Sequence, residues 1–362
     1  MSKQNKKKIS LADNMILFSL ISIVLGLIVG AVALIIAGFN PIDAYSAMIE
    51  GIIGKPKYIA WTIIRSTPLI LTGLSVAFAF KTGLFNIGAE GQFIIGALVA
   101  TMVGAGVELP PIIHVPLVLL VAALSGAIWG GFAGWLKSKF GINEVIATIM
   151  LNWIAFYLSN YMIRTTWLAQ PNSEASVSIH ESASIGIDWL KGLVGPATSV
   201  NWGIVISIAV VLIIAFILFK TTLGFELRAV GNNKFGAEYG GINVNKSVLQ
   251  SMAIAGLIAG LAGAIQVMGV SHNITILAAQ EGYGFDGIAV ALIANSNPIG
   301  VIFSGLLFGA FKYGGTKMQA IGAPSEVVSI VVGSIVYFIA LSSVLRALFI
   351  KMMAKRNKGG NA

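Results

Sequence analysis

The sequence predicts an all-α polytopic membrane protein of about ten transmembrane helices, arranged as two inverted five-helix repeats with both termini cytoplasmic. Three observations carry that prediction. Hydrophobic residues make up 57% of the chain and charged residues 10%, with a mean hydropathy of +0.89, whereas a soluble domain carries roughly 25% charge. Apolar runs, many longer than the roughly 20 residues that cross a hydrocarbon core, follow one another with no polar domain between them. A pattern in the fourth run also returns in the ninth.

Charges and turn residues bound the runs and place helices over 15–38, 59–80, 84–106, 112–136, 145–163, 202–219, 248–270, 283–296, 299–318 and 325–349. The first is too long for the core of a signal peptide and lacks a cleavage site, so it is expected to stay as a helix. The net charge is +9, and its placement reads as topology and not as nucleic-acid binding. The inner side receives Lys3, Lys6, Lys7, Lys8, Lys81, Lys137, Lys139, Lys220, Arg228, Lys234, Lys246, Arg346, Lys351, Lys355, Arg356 and Lys358. The outer side receives Lys55, Lys57, Arg65, Arg164, Lys191, Lys312 and Lys317. The expected layout is a basic cytoplasmic segment 1–14, a membrane domain 15–350 and a basic tail 351–362. Within the domain, repeat one covers about 15–163, an outer loop 164–200, and repeat two about 202–349, with an inner loop at 220–247.

The fourth run holds Ser125-Gly126 followed by Gly130 and Phe132, and the ninth holds Ser304-Gly305 followed by Gly309 and Phe311, so both read SGxxxGxF. Asn143-Glu144-Val145 opens the fifth run and Ser325-Glu326-Val327 the tenth. Gly83-Leu84-Phe85-Asn86-Ile87-Gly88 is loosely echoed by Tyr283-Gly284-Phe285-Asp286-Gly287-Ile288. An offset of five spans is odd, so equivalent helices run in opposite directions, as in many transporters. Small-xxx-small patterns also serve close helix packing in any membrane bundle, but two SGxxxGxF segments each followed by a Glu-Val start favour the repeat.

Polar groups inside a membrane are costly and need a reason. The third run carries Glu90 and Gln92 after Asn86, the fifth Asn152, the seventh Gln250 and Gln266, and the eighth Asp286 near its start. The eighth run is short and glycine-rich, which points to a midplane pathway. Phe85, Asn86, Glu90, Gln92, Asn152, Trp153, Phe285 and Asp286 are therefore candidate pathway residues. Glu90 reads in the first place as a helix-packing hydrogen bond or a partner for a nearby base, and in the second as a pathway-facing group. The three aromatics read either as stacking platforms for a flat solute or as interfacial anchors. Glu144 with Lys81, and Arg65 with Glu326, are possible pairs related by the repeat.

Enzyme signatures are missing: the sequence has no GxxxxGK[ST], and His114, His180 and His272 are scattered without HExxH spacing and read as loop residues. With no cysteine, disulfides and thiolate metal sites are excluded, and no metal site or cofactor is expected. In the outer loop, Trp189 to Leu193 predicts a short surface helix. In the inner loop, Asn232-Asn233 can cap a short helix that Gly240-Gly241 stops, a rigid element suited to contact with a cytoplasmic motor.

Four segments resemble the permease subunits of bacterial ATP-binding-cassette importers, in the branch for simple sugars, nucleosides and branched-chain amino acids. They are FNIGAEGQ (85–92), NEVIATIMLN (143–152), GFELRAVGNNKFGAEYGGI (224–242) and GFDGIAVALIANSNPIG (284–300). The first two are most similar to nucleoside permeases that work with a basic membrane lipoprotein; ribose-type permeases carry an Asp-containing sequence at the first. The resemblance implies a bacterial plasma-membrane subunit with no cofactor of its own, ATP being used by a partner. It also implies a second permease subunit in a hetero- or homodimer, two cytoplasmic ATPase subunits, an external substrate-binding lipoprotein, surrounding membrane lipid and no nucleic acid. The ATPase would contact Gly224, Arg228, Gly231, Asn232, Ala237, Gly240 and Gly241, although Glu238 stands where the family often has alanine. Simple-sugar uptake and a stand-alone secondary transporter are the alternatives; a membrane-embedded enzyme is disfavoured by the missing catalytic cluster.

Overall fold

The computed structural model describes residues 15–342 and 344–347. The expected basic segments 1–14 and 351–362, and the end of the tenth apolar run, lie outside them. All ten runs form helices: α1 (Met15–Ile36), α3 (Pro56–Lys81), α4 (Ala89–Gly106), α5 (Pro111–Phe140), α6 (Glu144–Thr165), α8 (Gly203–Lys220), α11 (Val244–Gln266), α12 (Tyr283–Ile293), α13 (Pro298–Ala320) and α14 (Ser325–Ala340). Four further helices lie between them: α2 (Pro41–Ile53), α7 (Asp188–Val194), α9 (Thr222–Asn232) and α10 (Lys234–Tyr239). The described residues contain no strand, only isolated bridges such as Ala175 with Thr275.

Seven helices are long and apolar enough to cross a membrane: α3, α4, α5, α6, α8, α11 extended by a π-helical turn through Ser271, and α13. Three shorter apolar segments accompany them, Leu20–Ile36, Tyr283–Ile293 and Ser325–Ala340.

Local chemistry sets several ends differently from the expected bounds. The third span starts at Ala89 and not at 84, because Gly83 takes φ +74 and Phe85 to Gly88 stay non-helical. The fourth runs on to Phe140, its last turn carrying Lys137 and Lys139, and stops where Gly141 adopts φ +68. Asn143 starts α6 by accepting from the Val145 amide at 2.8 Å. Pro56 opens α3 earlier than expected, at a position where its missing N–H costs nothing. Helix α2 was not foreseen: it is short, and Asp43 and Glu50 interrupt its apolar pattern. His114 is helical and buried in α5, with Nδ1 2.8 Å from the Ser182 hydroxyl, and is not a loop residue. The outer loop does carry a short helix, α7, around Trp189.

The chain divides into two compact units. The smaller, 1–51 with 314–362, is described from α1, which packs on α14; a Cβ on Gly26 would meet the Ile335 backbone, and Tyr45 donates to the Leu27 carbonyl at 2.6 Å. The larger, 52–313, is built around α11, which packs against α5, α4 and α3. The α5–α11 crossing is a backbone contact: a Cβ on Gly260 would lie 2.7 Å from the Ala122 carbonyl oxygen and 2.9 Å from the Gly126 Cα. Glycine at both faces lets dispersion and backbone contacts replace a hydrophobic driving force that lipid does not supply.

Candidate functional site

The first turns of α4 and α12 meet inside the larger unit. Glu90, the second residue of α4, is fully buried and accepts hydrogen bonds from the Gly282 and Gly284 amides, each at 2.7 Å. These amides are among the donors that the start of α12 leaves without intrahelical partners. Gly284 is required here, because a Cβ would run into the Glu90 backbone. One carboxylate therefore lies at two positive helix ends, each equivalent to roughly half a unit charge.

Below Glu90 lies a closed amide network. Asn86 donates from Nδ2 to the Gln92 side-chain oxygen at 3.0 Å and to the Ser75 hydroxyl at 3.2 Å, and Gln92 donates back to Asn86 Oδ1 at 3.2 Å. Ser75 passes its own proton to the Ala255 carbonyl at 2.6 Å, which ties α3 to α11. Asn152 on α6 accepts from the Gly91 amide at 2.8 Å and donates to the Ile87 carbonyl at 3.0 Å. Asn86, Gln92 and Asn152 are all buried, and each amide uses both a donor and an acceptor, as burial in a low-dielectric interior demands.

On the other flank, Thr72 of α3 donates to the Tyr283 carbonyl at 2.9 Å, and Arg65 donates to the Tyr283 hydroxyl at 3.3 Å. The Tyr283 ring lies 5.1 Å from that of Phe93, with Lys312 5.9 Å from its centroid. Asp286 forms an ion pair with Lys312 of α13. Thus Asn86, Glu90, Gln92 and Asn152 come together, and Asp286 sits on the same helix start that Glu90 caps. Trp153 and Phe285 are exposed; Trp153 stacks on Tyr157 at 6.0 Å, and Phe85 stacks on Phe80 at 5.2 Å.

Sequence reasoning missed Thr72, Ser75, Tyr283 and Lys312. The first three are ordinary in an apolar run, but Lys312 had a signal: it lies within an apolar helix, and was assigned instead to the outer boundary. One pairing also differs from expectation. Glu144 pairs with Lys137, one turn before the α5–α6 corner, and not with Lys81. Arg65 binds Tyr283, while Glu326 accepts from its neighbour Ser325.

The 220–247 loop folds into α9 and α10. Thr221 caps α9 through the Gly224 amide at 3.2 Å, and Asn233 caps α10 through the Gly236 amide at 3.0 Å, while Asn232 ends α9. Gly240 follows α10, and Gly241 takes φ +84. Arg228 donates to the Gly224 carbonyl at 3.3 Å and lies 5.6 Å from the Phe219 ring centroid, bracing the α8–α9 elbow. Val230 and Ala237 are buried in a cluster with Ala79, Leu84, Val248 and Met252, whereas Phe225, Phe235 and Tyr239 are exposed. Gly231 abuts the Lys81 carbonyl and the Gly83 amide, so the end of α9 touches the non-helical segment that leads to Asn86. Among the described residues, no cluster of acidic or histidine side chains could hold a metal ion.

Seven span-length apolar helices and a polar network sealed within them define a multi-pass membrane protein, and the permease relatives that follow indicate the bacterial plasma membrane. The chain belongs to the family described as branched-chain amino acid transport system / permease component, which matches residues 58–340. It is 42% identical to a guanosine ABC transporter permease protein of Bacillus subtilis, over 96% of this chain and 98% of that one. It is 36% identical to a nucleoside ABC transporter permease protein of Lactococcus lactis subsp. cremoris, over 94% of each. A glucose ABC transporter permease protein of Haloferax volcanii is 33% identical over 89% of this chain and 86% of its own length. No solved structure matches the chain significantly.

Proposed function

We propose that the chain forms the transmembrane pathway for nucleosides in an ABC importer, powered by partner ATPase subunits and fed by an external binding lipoprotein. The observation that carries this reading is the 42% identity, over nearly the whole of both chains, to a guanosine permease. The geometry agrees in kind: the polar groups around Glu90 are satisfied internally, which suits passage of an uncharged solute better than tight capture of an ion.

The subunit has no phosphate-binding loop in its sequence, so the drive comes from outside. In the proposed coupling, an ATPase grips α9 and α10 through the face that exposes Phe225, Phe235 and Tyr239, with Gly224, Arg228, Gly231, Asn232, Ala237, Gly240 and Gly241 shaping the segment. Movement there reaches Gly83 through Gly231, and from Gly83 the chain runs directly to Asn86 and Glu90. A second permease subunit completes the pathway, as a homo- or heterodimer.

The ten-span layout, with two inverted halves and cytoplasmic termini, belongs to the same proposal. It is supported by reciprocal packing: α5 of the first half packs on α11 of the second through Gly126 and Gly130, while α13 packs on α3 through Gly305 and Gly309. Likewise α4 packs on α11 and α12 on α3. The 33% identity to a glucose permease favours simple-sugar uptake as a second reading.

Reconstitution of the chain with its ATPase, second permease and lipoprotein tests these readings together. ATP-dependent uptake of labelled guanosine, competed by adenosine or uridine and not by glucose, is expected. Competition by glucose alone would establish the sugar reading, and ion-driven uptake by the isolated chain would remove the importer reading altogether.

A further inference from the structure

An apolar groove of about 420 Å³ opens on the larger unit between the starts of α3 and α8, roofed by α7. Its walls come chiefly from Ile59, Ile63, Leu190, Val194, Ile204 and Val205. Two polar side chains reach it, and neither offers a free group. Thr67 donates to the Ile63 carbonyl at 3.0 Å. Asn201 donates to the Ser199 and Gly269 carbonyls at 2.8 and 3.1 Å and accepts from the Gly203 amide at 2.8 Å. A polar solute would find no partner here, and water would find too few. The groove is therefore built for hydrocarbon and stands apart from the Glu90 network.

Its rim has different chemistry. Lys57 follows the lining residue Pro56 and is exposed, and its stem lies beside Gly195, the residue that ends α7, at 3.8 Å from where a Cβ would sit. No carboxylate pairs with Lys57 among the described residues, whereas the neighbouring Lys191 is held by Asp188 at 2.6 Å. Trp189 and Trp202, 71% and 50% exposed, each adjoin a lining residue, Leu190 and Asn201. Exposed tryptophans beside a lysine mark the headgroup level of a bilayer, where an indole prefers to lie and an ammonium meets phosphate.

From the dry walls and the carboxylate-free Lys57 at the mouth, we infer that this groove is a lipid site: one acyl chain of an anionic phospholipid lies under α7, with its phosphate at Lys57. The cation gives the site a preference for charge, and the fully satisfied walls give it a preference for alkyl chain over any polar occupant.

Native mass spectrometry of the detergent-purified full chain, equilibrated with equal amounts of phosphatidylglycerol and phosphatidylcholine, tests this. Wild type is expected to retain one phosphatidylglycerol in preference to phosphatidylcholine. Ala60→Phe and Val205→Trp fill the groove from opposite walls, and each is expected to lower retention about tenfold, the effect of excluding roughly two methylenes. Lys57→Gln is expected to retain lipid but lose the choice between headgroups. Ile128→Phe, on the exposed face of α5, is the control and should change nothing. Undiminished retention in whichever groove-filling variant keeps the wild-type melting temperature overturns the site. Equal retention of both lipids by wild type overturns the role of Lys57. The chain has no cysteine, so Leu190→Cys supplies a single thiol; its cross-linking to a second permease subunit, in place of protection by lipid, would assign the groove to a protein interface and overturn the proposal.

Discussion

Glu90, in the first turn of α4, satisfies two amides at the start of α12, while Asn152 serves the Gly91 amide of α4. Each Glu90 bond joins a buried carboxyl oxygen to a buried amide, and removal leaves both amides unpaired, each at about 1–3 kcal/mol. Glu90→Ala is therefore expected to cost about 3 kcal/mol or more and to lower the melting temperature sharply. Glu90→Gln keeps one acceptor but turns an NH2 toward the other amide, so it should fall between the two. Differential scanning fluorimetry in detergent gives the ranking, and equal melting temperatures for all three proteins would remove Glu90 from this role. A second residue makes a pH-dependent contribution. Burial, and then the charge of Lys191, hold the His272 imidazole below its ordinary value of 6.5. The folded protein thus resists a proton that the unfolded chain accepts near 6.5, so this contribution is complete above that pH and is lost as pH falls below it. The protection of the Ile179 amide, which donates to the His272 carbonyl at 2.9 Å, measured relative to its base-catalysed intrinsic exchange rate, should fall below pH 6.5 in wild type and lose that dependence in His272→Asn. Asn is suited to the test because His272 has φ +59, a conformation that Asn tolerates.

At the scale of elements, α9 and α10 show what makes a short segment rigid. A 6-residue helix such as α10 cannot persist alone, yet it is capped by Asn233, buried through Ala237 and terminated by Gly241 at φ +84. Gly241→Val forces a β-branched side chain into the left-handed region at a cost of about 1–2 kcal/mol, and should displace α10 while leaving the membrane helices in place. We expect normal membrane insertion with reduced ATPase co-purification, and a similar loss for Arg228→Ala, which frees the α8–α9 elbow. Undiminished co-purification of both variants would count against α9 and α10 as the docking segment. These caps were readable in the sequence because Asn before, and Gly-Gly after, a short charged stretch act locally. Helix α2 was not readable, since thirteen residues with two acids lack the apolar length that signals a span. Partner choice was equally hidden. Lys137 and Lys81 are both basic residues close to Glu144 along the expected inner surface, and only the α5–α6 corner brings Lys137 to it.

Across the larger unit, the SGxxxGxF pattern read from the sequence is also a pattern of close helix packing. The sequence marks where helices approach closely, through two SGxxxGxF segments, but it cannot say which helix each one meets. In the larger unit, Gly126 lies on α11 and Gly305 on α3, so each segment serves a helix from the opposite half of the chain. Local sequence carries spacing, whereas the partner is set by threading of the chain, which is why the embedded polar residues were legible and their bonds were not. The reciprocity yields a paired prediction. Gly126→Leu and Gly305→Leu each insert a branched side chain where a backbone or Ile70 already stands, and overpacking of this kind costs about 1–3 kcal/mol. If the two crossings are equivalent by an inverted repeat, the single variants should lose similar stability and similar transport. Gly333→Leu, where a Cβ meets nothing within 4 Å, should leave both unchanged. Melting temperatures and guanosine uptake for the three variants read out the comparison. A large loss at one crossing with none at the other would show that the sequence repeat does not correspond to two equivalent structural supports.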